Sequence, residues 1–439
     1  MAELGVTIWF ENILKIWRYM VKYGRMKKSI YLDYASTTPI DPKVLSAMTP
    51  FLKGDFANPS SIHGPGQKAR EAIDKAREQV AGFLNCAPTE IIFTGSATEA
   101  DNLAILGVVK ATRSKGVMMP HIITVKTEHH AIIEPCEALE KQRLAEVTYL
   151  PVDKDGLIKP EAVQKAIKAN TVLVSIMYAN NEIGVIQPIS KIGAILEKFK
   201  VQSSKFKVIF HTDAAQAVNY LDCDVQKLGV DLLTLSGHKI YGPKGIGALY
   251  IRKGALIEPI IFGGGQERGM RPGTENVAGI VGLGAAIAEL ETRDIEISKY
   301  QNIEISKCRN VNISKLESLE FLRNKLIDGV LTKIPRARLN GSRENRLPNN
   351  ANFSFEGAEG ESIVIALDQE GIAASTGSAC SSRSLEPSHV LLALGLSHEQ
   401  AHGSLRLTLG RYTTEQEIGR VLAVLPKIIE RLRKISGRR

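Results

Sequence analysis

A chain of 439 residues with 44% hydrophobic and 23% charged residues can bury a large core, which predicts a globular protein of two domains or of one large domain with an appendage. The net charge of +9 argues little for nucleic-acid binding, because residues 1–28 contribute +4, residues 427–439 contribute +5, and the rest is neutral. Such basic ends could touch acidic lipid or RNA, but solvated terminal helices are the favoured interpretation. We therefore expect no direct nucleic-acid contact.

The cysteine pattern indicates the cell compartment, and the hydropathy indicates whether the chain enters a membrane. Five cysteines are scattered without the CxxC spacing of a zinc site and without a disulfide framework, so neither a metal site nor disulfides are expected. This usage suits a reducing compartment, and we expect a cytoplasmic protein. No stretch is apolar enough to span a bilayer, so no membrane partner is expected.

Residues 1–28 have two equally supported interpretations. Trp9, Ile13 and Trp17 fall near helical spacing, which is typical of a helix that binds a membrane surface or a partner. Alternatively, translation begins at Met26, directly before the first strand, and the segment does not belong to the folded protein.

From Tyr31 onward, short apolar strands alternate with amphipathic helices. This alternation predicts an α/β fold with a mostly parallel sheet that is flanked by helices, and ligands of such sheets bind at the carboxyl ends of the strands. The predicted strands of this region are Ile91–Thr94, Ile122–Val125, Val147–Leu150, Val172–Met177, Val208–His211, Leu232–Leu235 and Gly247–Ile251.

The alternation of strands and helices changes near residue 290. Residues 294–315 contain an octapeptide repeated three times (DIEISKYQ, NIEISKCR, NVNISKLE), which we interpret as an inserted surface element. A strand, a helix and a terminal amphipathic helix follow, which predicts a smaller α+β domain. We expect this domain to comprise residues 29–40 and 291–439, and the large domain to comprise residues 41–290.

Polar motifs follow the predicted strands, and the most informative is Ser236-Gly237-His238-Lys239. A lysine that leaves a buried strand into a glycine-rich turn is partly desolvated, which favours the neutral amine that forms Schiff bases. The adjacent Ser236 and His238 could serve a phosphate. The motif thus indicates pyridoxal phosphate, although a strand-end lysine in solvent is the simpler interpretation of Lys239 alone.

Three further motifs support this cofactor. Asp213 ends a strand and could keep a pyridine ring protonated, with Gln216 beside it, although a lone aspartate at a strand end is more often a helix cap. The segment that contains Ala97 and Thr98 opens a helix whose free N–H groups favour phosphate. In Thr127-Glu128-His129-His130 one imidazole could stack on the ring, and chemistry alone does not choose between the two histidines.

The remaining motifs suggest a substrate site. Asn181 lies in a loop that could supply an amide, and Thr274 follows a glycine-rich segment and could reach phosphate. Cys380 lies among small polar residues, where a thiolate is accessible. Arg406 lies on an apolar strand, where a guanidinium could grip a substrate carboxylate.

Together these motifs resemble the cysteine desulfurases, in the NifS/IscS-like branch of the class V aminotransferase superfamily. The resemblance covers roughly Tyr31 to Ile435 and rests on motifs in family order: YLDYASTTP, GSATEADN, TEHH, ANNEIG, HTDAAQA, SGHK, RPGT, STGSACSS and SLEPS. It implies the fold type I pyridoxal-phosphate architecture and a homodimer with active sites at the subunit interface.

The resemblance also implies residue roles. Lys239 would hold the cofactor, His129 would stack on the ring, Cys380 would be the nucleophile, and Arg406 with Asn58 would hold the substrate carboxylate. The other contacts to the cofactor would come from Asp213, Gln216, Asn181, Ala97, Thr98, Ser236, His238 and, from the neighbouring subunit, Thr274.

The implied activity is the conversion of L-cysteine to L-alanine with transfer of sulfur to Cys380 as a persulfide. The persulfide would pass to an acceptor protein, either an iron–sulfur cluster scaffold or a tRNA-thiolation protein. A selenocysteine lyase or another class V enzyme is the alternative, and a sulfur-relay subunit that acts by binding alone is a more distant one. An aminotransferase would not need Cys380, which counts against that activity.

Overall fold

A computed structural model describes residues 29–202, 207–298, 313–377 and 387–437. The N-terminal segment 1–28, residues 299–312 of the octapeptide repeat, and Cys380 lie outside the described residues. The two ends of the repeat that are described, 294–298 and 313–315, are helical.

In the described part of the chain, the largest sheet contains seven strands in the order β2-β8-β7-β6-β5-β3-β4. Strands β3 to β7 are parallel, whereas β8 pairs antiparallel with both β7 and β2. The strands are β2 (Ile91–Thr94), β3 (His121–Val125), β4 (Glu146–Leu150), β5 (Thr171–Ser175), β6 (Ile209–Asp213), β7 (Leu232–Ser236) and β8 (Gly247–Ile251).

The helices of this part run between the strands and cover both faces of the sheet. Two buried apolar clusters, one on each face, fill the space between helices and sheet. The helices are α1 (Pro42–Lys53), α2 (Gly64–Leu84), α3 (Ala97–Ser114), α4 (His130–Lys141), α5 (Pro160–Ala166), α6 (Ile189–Gln202), α7 (Val225–Leu228) and α8 (Val277–Ser298).

The described residues also form two smaller sheets, which combine the C-terminal part of the chain with strand β1. One is antiparallel, with the order β12-β10-β9, and the other pairs β1 with β11 in parallel. Their strands are β1 (Ile30–Tyr31), β9 (Ala337–Leu339), β10 (Asn350–Phe355), β11 (Ile372–Ala373) and β12 (Ser404–Thr408), and the helices are α9 (Ile313–Lys333), α10 (Gly360–Gln369), α11 (His389–Ala393), α12 (His398–His402) and α13 (Glu415–Ile435).

The predicted architecture is confirmed: a mostly parallel sheet is flanked by helices, and a smaller α+β part follows. Helix α2 ends at Asn85, which caps it in the left-handed conformation (φ 56°). Within the described residues, no helix is both long and apolar enough to cross a membrane.

Candidate active site

A cavity of about 370 Å³ lies where the carboxyl ends of β2, β3, β6 and β7 meet. The loops after these strands line it, together with the segment after β1 and with Arg406 from β12. The polar motifs of the sequence were predicted at this edge because each follows a strand, and parallel strands end on the same side.

Lys239 lies at the end of a short 3₁₀ turn, Gly237–Lys239, which follows β7 directly. The turn requires glycine at position 237, because a Cβ there would lie 2.7 Å from Cγ2 of Ile246. The Lys239 Nζ donates hydrogen bonds to the carbonyl oxygens of Ala35 (2.6 Å) and Ser36 (2.7 Å). The segment after β1 therefore fixes the amine at the cavity wall.

The Asp213 carboxyl ends β6 and faces the same cavity. Its Oδ1 accepts a hydrogen bond from the N–H of Ala215 (2.8 Å). Burial raises the pKa of Asp213 to about 6, while the Ala215 N–H and the charge of Lys239 act in the opposite direction. Gln216 also lines the cavity and donates from Nε2 to the carbonyl of Ala35 (2.9 Å).

Both histidines of the TEHH motif line the cavity, but their environments differ. His129 caps α4, and its Nδ1 accepts a hydrogen bond from the N–H of Ala131 (3.1 Å). Burial, followed by the charges of His130 and Lys239, lowers the pKa of His129 to about 4, so this ring is neutral at physiological pH. His130 is more exposed, and its Nδ1 lies 3.4 Å from Oε1 of Glu134.

The start of α3 forms one end of the cavity and is suited to an anion. Ser96 caps the helix by accepting a hydrogen bond from the N–H of Glu99 (3.1 Å), and Ala97 and Thr98 line the cavity in its first turn, where N–H groups have no partner within a helix. Gly247 packs against this turn: a Cβ there would lie 2.6 Å from the carbonyl carbon of Ser96.

Ser236 and His238 line the same cavity from the end of β7. The Nδ1 of His238 lies 3.1 Å from Oγ1 of Thr37, a hydrogen-bond distance. Burial lowers the pKa of His238 to about 4, with Lys239 contributing, so the ring is neutral and offers hydrogen bonds rather than charge.

Arg406 is 3% exposed and is held by three oxygen acceptors. Its Nη1 donates to the carbonyl of Asn181 (2.9 Å), and its Nη2 donates to Oδ1 of Asp33 (2.9 Å) and to Oγ of Ser36 (2.7 Å). Among the described atoms, its buried Nε has no partner. The guanidinium is thus held in a fixed orientation at the cavity wall, where it could form charge-assisted hydrogen bonds with a carboxylate.

Two predicted site residues do not line this cavity of the single chain. Thr274 and Asn58 are exposed, and Oδ1 of Asn58 accepts from the N–H of Ser60 (2.8 Å). Thr274 was expected to serve a neighbouring subunit, so both roles stay predictions, as does that of Cys380.

Sequence reasoning missed several buried carboxyls at the cavity. Asp101, Glu128 and Glu182 lie inside quoted motifs and are 1%, 0% and 4% exposed. Half-buried Asp33, which does not line the cavity, holds Arg406 and was missed as well. The available signal for Asp101 was an acidic residue on the apolar face of α3, between Ala100 and Leu103.

Comparisons with known proteins agree with this geometry. Residues 30–421 match the family model described as aminotransferase class-V. A "Cysteine desulfurase IscS" from Dictyoglomus turgidum is 51% identical over 411 residues, which cover 94% of this chain and 97% of that relative.

Two solved structures are also similar to this chain. A "NifS-like protein" superimposes with a TM-score of 0.79 at 36% identity and covers 92% of this chain and 99% of its own. A structure titled "SspA in complex with cysteine" gives 0.70 at 37% identity, with coverage of 88% and 100%. The chain therefore belongs to the class V aminotransferase family, and within it to the cysteine desulfurases, which are pyridoxal-phosphate-dependent enzymes of fold type I.

Proposed function

We propose that this cysteine desulfurase converts L-cysteine to L-alanine and transfers the sulfur to its own Cys380 as a persulfide. The observation that supports these residue roles best is the convergence of three groups on one cavity: the amine of Lys239, the carboxyl of Asp213 and the guanidinium of Arg406. They come from three separate strands or turns, and each is held by hydrogen bonds.

The residues around the cavity fit pyridoxal phosphate. The first turn of α3, with Ala97 and Thr98, would hold the phosphate together with Ser236 and His238, and Thr274 of a neighbouring subunit would complete this set. Asp213 would face the ring nitrogen, Asn181 and Gln216 would contact the ring, and His129 would stack on it. When bound, the cofactor supplies an aldehyde that reacts with amines and a protonated ring that withdraws electrons from the substrate α-carbon.

The substrate would bind with its carboxylate at Arg406, with Asn58 as a second contact. The position of Arg406 in the cavity wall and the fixed orientation of its guanidinium support this role. Lys239 would take the α-proton at Nζ, where the carbonyl oxygens of Ala35 and Ser36 already orient the amine.

Cys380 would accept the sulfur. Its thiolate would attack the substrate sulfur, the bond between that sulfur and the substrate Cβ would break, and the Cβ would take a proton to become the methyl group of alanine. Gly377 and His389, which are described on either side of the segment that contains Cys380, both line the cavity and so support this assignment.

We infer that the other described cysteines take no part. Cys136 and Cys223 are buried, and burial raises the pKa of both thiols. Burial also raises the pKa of Cys86 to about 12, which keeps this half-buried thiol protonated at physiological pH.

The enzyme would act as a cytoplasmic homodimer and deliver the persulfide to an acceptor protein, either an iron–sulfur cluster scaffold or a tRNA-thiolation protein. Exposed Phe56, Ile62 and Phe262 support a protein interface outside the cavity. The large domain would comprise residues 41–290, and the small domain residues 29–40 and 291–439.

The test is alanine formation from L-cysteine by the cofactor-loaded protein with a thiol reductant. We expect alanine in catalytic excess over protein, no turnover for Cys380→Ala with cofactor binding retained, and native turnover for Cys86→Ala. Native turnover by Cys380→Ala would refute the nucleophile. A coloured, cofactor-loaded protein that forms no alanine from cysteine would refute the substrate and direct the assay to selenocysteine.

A further inference from the structure

Four buried carboxyl groups line the proposed cofactor cavity, although the reaction as proposed uses only one. One of the four, Glu182, is 4% exposed and accepts a hydrogen bond from Oγ of Ser388 (2.5 Å). The other three, Asp101, Glu128 and Asp213, are 1%, 0% and 7% exposed. Three negative charges so close together in a buried site would repel each other strongly. The local hydrogen bonds show which carboxyl is best suited to carry a charge.

Asp213 has the best support for a negative charge. It accepts the N–H of Ala215, and the charge of Lys239 favours its ionised form. Glu128 accepts one hydrogen bond, from the N–H of Met177 to Oε1 (2.7 Å), and its Oε2 is buried without a partner among the described atoms.

Asp101 has the least support. Both of its carboxyl oxygens are buried, and neither has a partner at full hydrogen-bond geometry among the described atoms; the Thr234 side chain is near enough to favour the charged form. Nε2 of His211 lies 3.6 Å from Oδ1, beyond hydrogen-bond distance. An ionised carboxylate with so little donor support is strongly disfavoured in such a place.

His211 does not supply a compensating positive charge. Its Nδ1 lies 2.9 Å from Oγ of Ser175 and its Nε2 lies 3.1 Å from Oγ1 of Thr234, so hydroxyl groups face both ring nitrogens. The ring is fully buried, and burial lowers the pKa of His211 to about 3. His211 is therefore a neutral neighbour of Asp101.

We propose that Asp101 is a positioning residue that keeps its proton at Oδ1, opposite Nε2 of His211, and thereby leaves the negative charge of this wall on Asp213. A carboxyl pair in unequal environments divides in this way, one member staying an acid and the other a carboxylate. The inference rests on the proposed role of Asp213 opposite the ring nitrogen.

The electrostatic environment agrees with the geometry. Burial raises the pKa of Asp101 well above its usual value, and the charges of Asp213 and Glu128 raise it further, against the opposing hydrogen bond of the Thr234 side chain. Burial likewise raises the pKa of Glu128, which favours the neutral acid there too. The charged or titratable groups around Asp101 are Asp213, Glu128 and His211, with Lys239 acting through Asp213 and with Glu182 in the lining of the same cavity.

The apoprotein provides a test that is independent of turnover. A carboxyl whose pKa is higher in the folded than in the unfolded protein stabilises the fold fully below its pKa in the unfolded state. This stabilisation is lost as the pH rises toward its pKa in the folded state. The neutral Asp101→Asn should therefore gain stability relative to the wild type between about pH 5 and about pH 8, with a slope that corresponds to about one proton. Thermal unfolding across this range measures the slope, and the surface variant Asp368→Asn should keep the wild-type slope.

A measurement on the wild type covers the case in which Asp101→Asn does not fold. Infrared spectra of apoprotein labelled with ¹³C-aspartate should show, near neutral pH, the C=O stretch of an undissociated aspartic acid at the label-shifted frequency. The proposal would be overturned if the stability of the wild type and that of Asp101→Asn changed equally with pH, or if this infrared band were absent.

The effect on Asp213 is tested in the loaded protein through the pH titration of the cofactor's absorbance. If Asp101 is neutral, Asp101→Asn should move the midpoint by less than about 0.5 pH unit, whereas removal of an ionised neighbour would lower it by about one unit or more. A shift of that larger size would contradict the proposal. If the apoprotein takes up no pyridoxal phosphate at all, the proposed site fails, yet the apoprotein measurements still determine the state of Asp101.

Discussion

The charge on Asp213 should control the affinity for pyridoxal phosphate. Its pKa is raised to about 6, so the carboxyl loses its charge as the pH falls through that value and no longer pairs with a protonated ring. We expect Asp213→Asn to weaken binding by about tenfold or more near pH 8, equivalent to about 1.4 kcal/mol, and the two proteins to converge below about pH 5.

Titration of the apoprotein with pyridoxal phosphate at several pH values tests this expectation. The phosphate group also titrates near pH 6, so the informative quantity is the ratio of the two dissociation constants at each pH. A ratio that stays constant across the range would exclude Asp213 as the group responsible.

Arg406→Lys should raise the KM for L-cysteine. A lysine keeps the charge but cannot reproduce the planar arrangement that contacts Asn181, Asp33 and Ser36 at once. Loss of a charge-assisted hydrogen bond of about 1.5–3 kcal/mol predicts a KM about ten- to a hundredfold higher, with a smaller change in kcat.

Steady-state kinetics of Arg406→Lys beside Arg420→Lys provide the comparison. Arg420 is exposed and pairs with Glu370 on the surface, so its replacement should leave both constants unchanged. An unchanged KM in Arg406→Lys would show that the substrate carboxylate binds elsewhere.

At this scale the sequence predicted which residues line the site better than it predicted how they are held. Lys239 and Asp213 meet as expected because they lie at the ends of neighbouring parallel strands, and Arg406 joins them from within β12. The contact between Asp33 and Arg406 joins positions 373 residues apart, and no local pattern announces such a pair. Asp101 was missed because a single acid in an apolar helix is ordinary until its burial is known.

At the scale of elements, the predicted strands of the large sheet all appear, with ends shifted by a residue or two. Apolar runs identify buried strands, but they do not define the ends: β6 runs to Asp213, two residues beyond the predicted His211. The direction of β8 was not predictable, because a buried strand has the same apolar run whether it lies parallel or antiparallel. Strands β1 and β11 have two residues each, too few for any periodicity.

Gly247→Ala should displace the first turn of α3 and weaken cofactor binding. The added Cβ would lie 2.6 Å from the Ser96 carbonyl carbon and 2.9 Å from the Ala97 nitrogen, and both belong to the backbone of the proposed phosphate site. We expect a stability loss of about 1–3 kcal/mol from overpacking, together with lower affinity for pyridoxal phosphate.

Gly419→Ala is the matched control for this prediction. Gly419 lies in α13 with open space around its Cβ position, so alanine should stabilise the protein by about 0.5–1 kcal/mol through helix propensity. Thermal unfolding and cofactor titration of both variants give the comparison. If both variants bound pyridoxal phosphate with equal affinity, the position of the backbone at Ser96 and Ala97 would not determine phosphate binding.

At the scale of the whole molecule, the segment after β1 connects the two parts of the chain at the cavity. Asp33 bridges to Thr408 at the end of β12, and Ala35 and Ser36 accept hydrogen bonds from Lys239, which follows a strand of the large sheet. Lys239 and Arg406 are therefore positioned by the same few residues. Separation of the two parts would disturb both at once.

The last prediction concerns the interface of the proposed homodimer. Phe56, Ile62 and Phe262 are 83%, 96% and 77% exposed, and their segments border one polar cavity, which Ser60 and Gly265 line. In a two-fold interface the same residues of both subunits take part, so each substitution changes the interface at two places. Replacement of Ile62 and Phe262 by serine should therefore cost about 4 kcal/mol or more and raise the dimer dissociation constant roughly a thousandfold.

Sedimentation velocity over a range of protein concentrations measures this constant, with Ile365→Ser as the control, because Ile365 is 61% exposed on α10 and lies outside the proposed interface. If Thr274 reaches the neighbouring phosphate site, the double variant should also bind pyridoxal phosphate more weakly as it is diluted, whereas the control should not. A wild type that sediments as a monomer would refute the dimer. A double variant that dissociates without any loss of cofactor affinity would keep the dimer and remove Thr274 from the site.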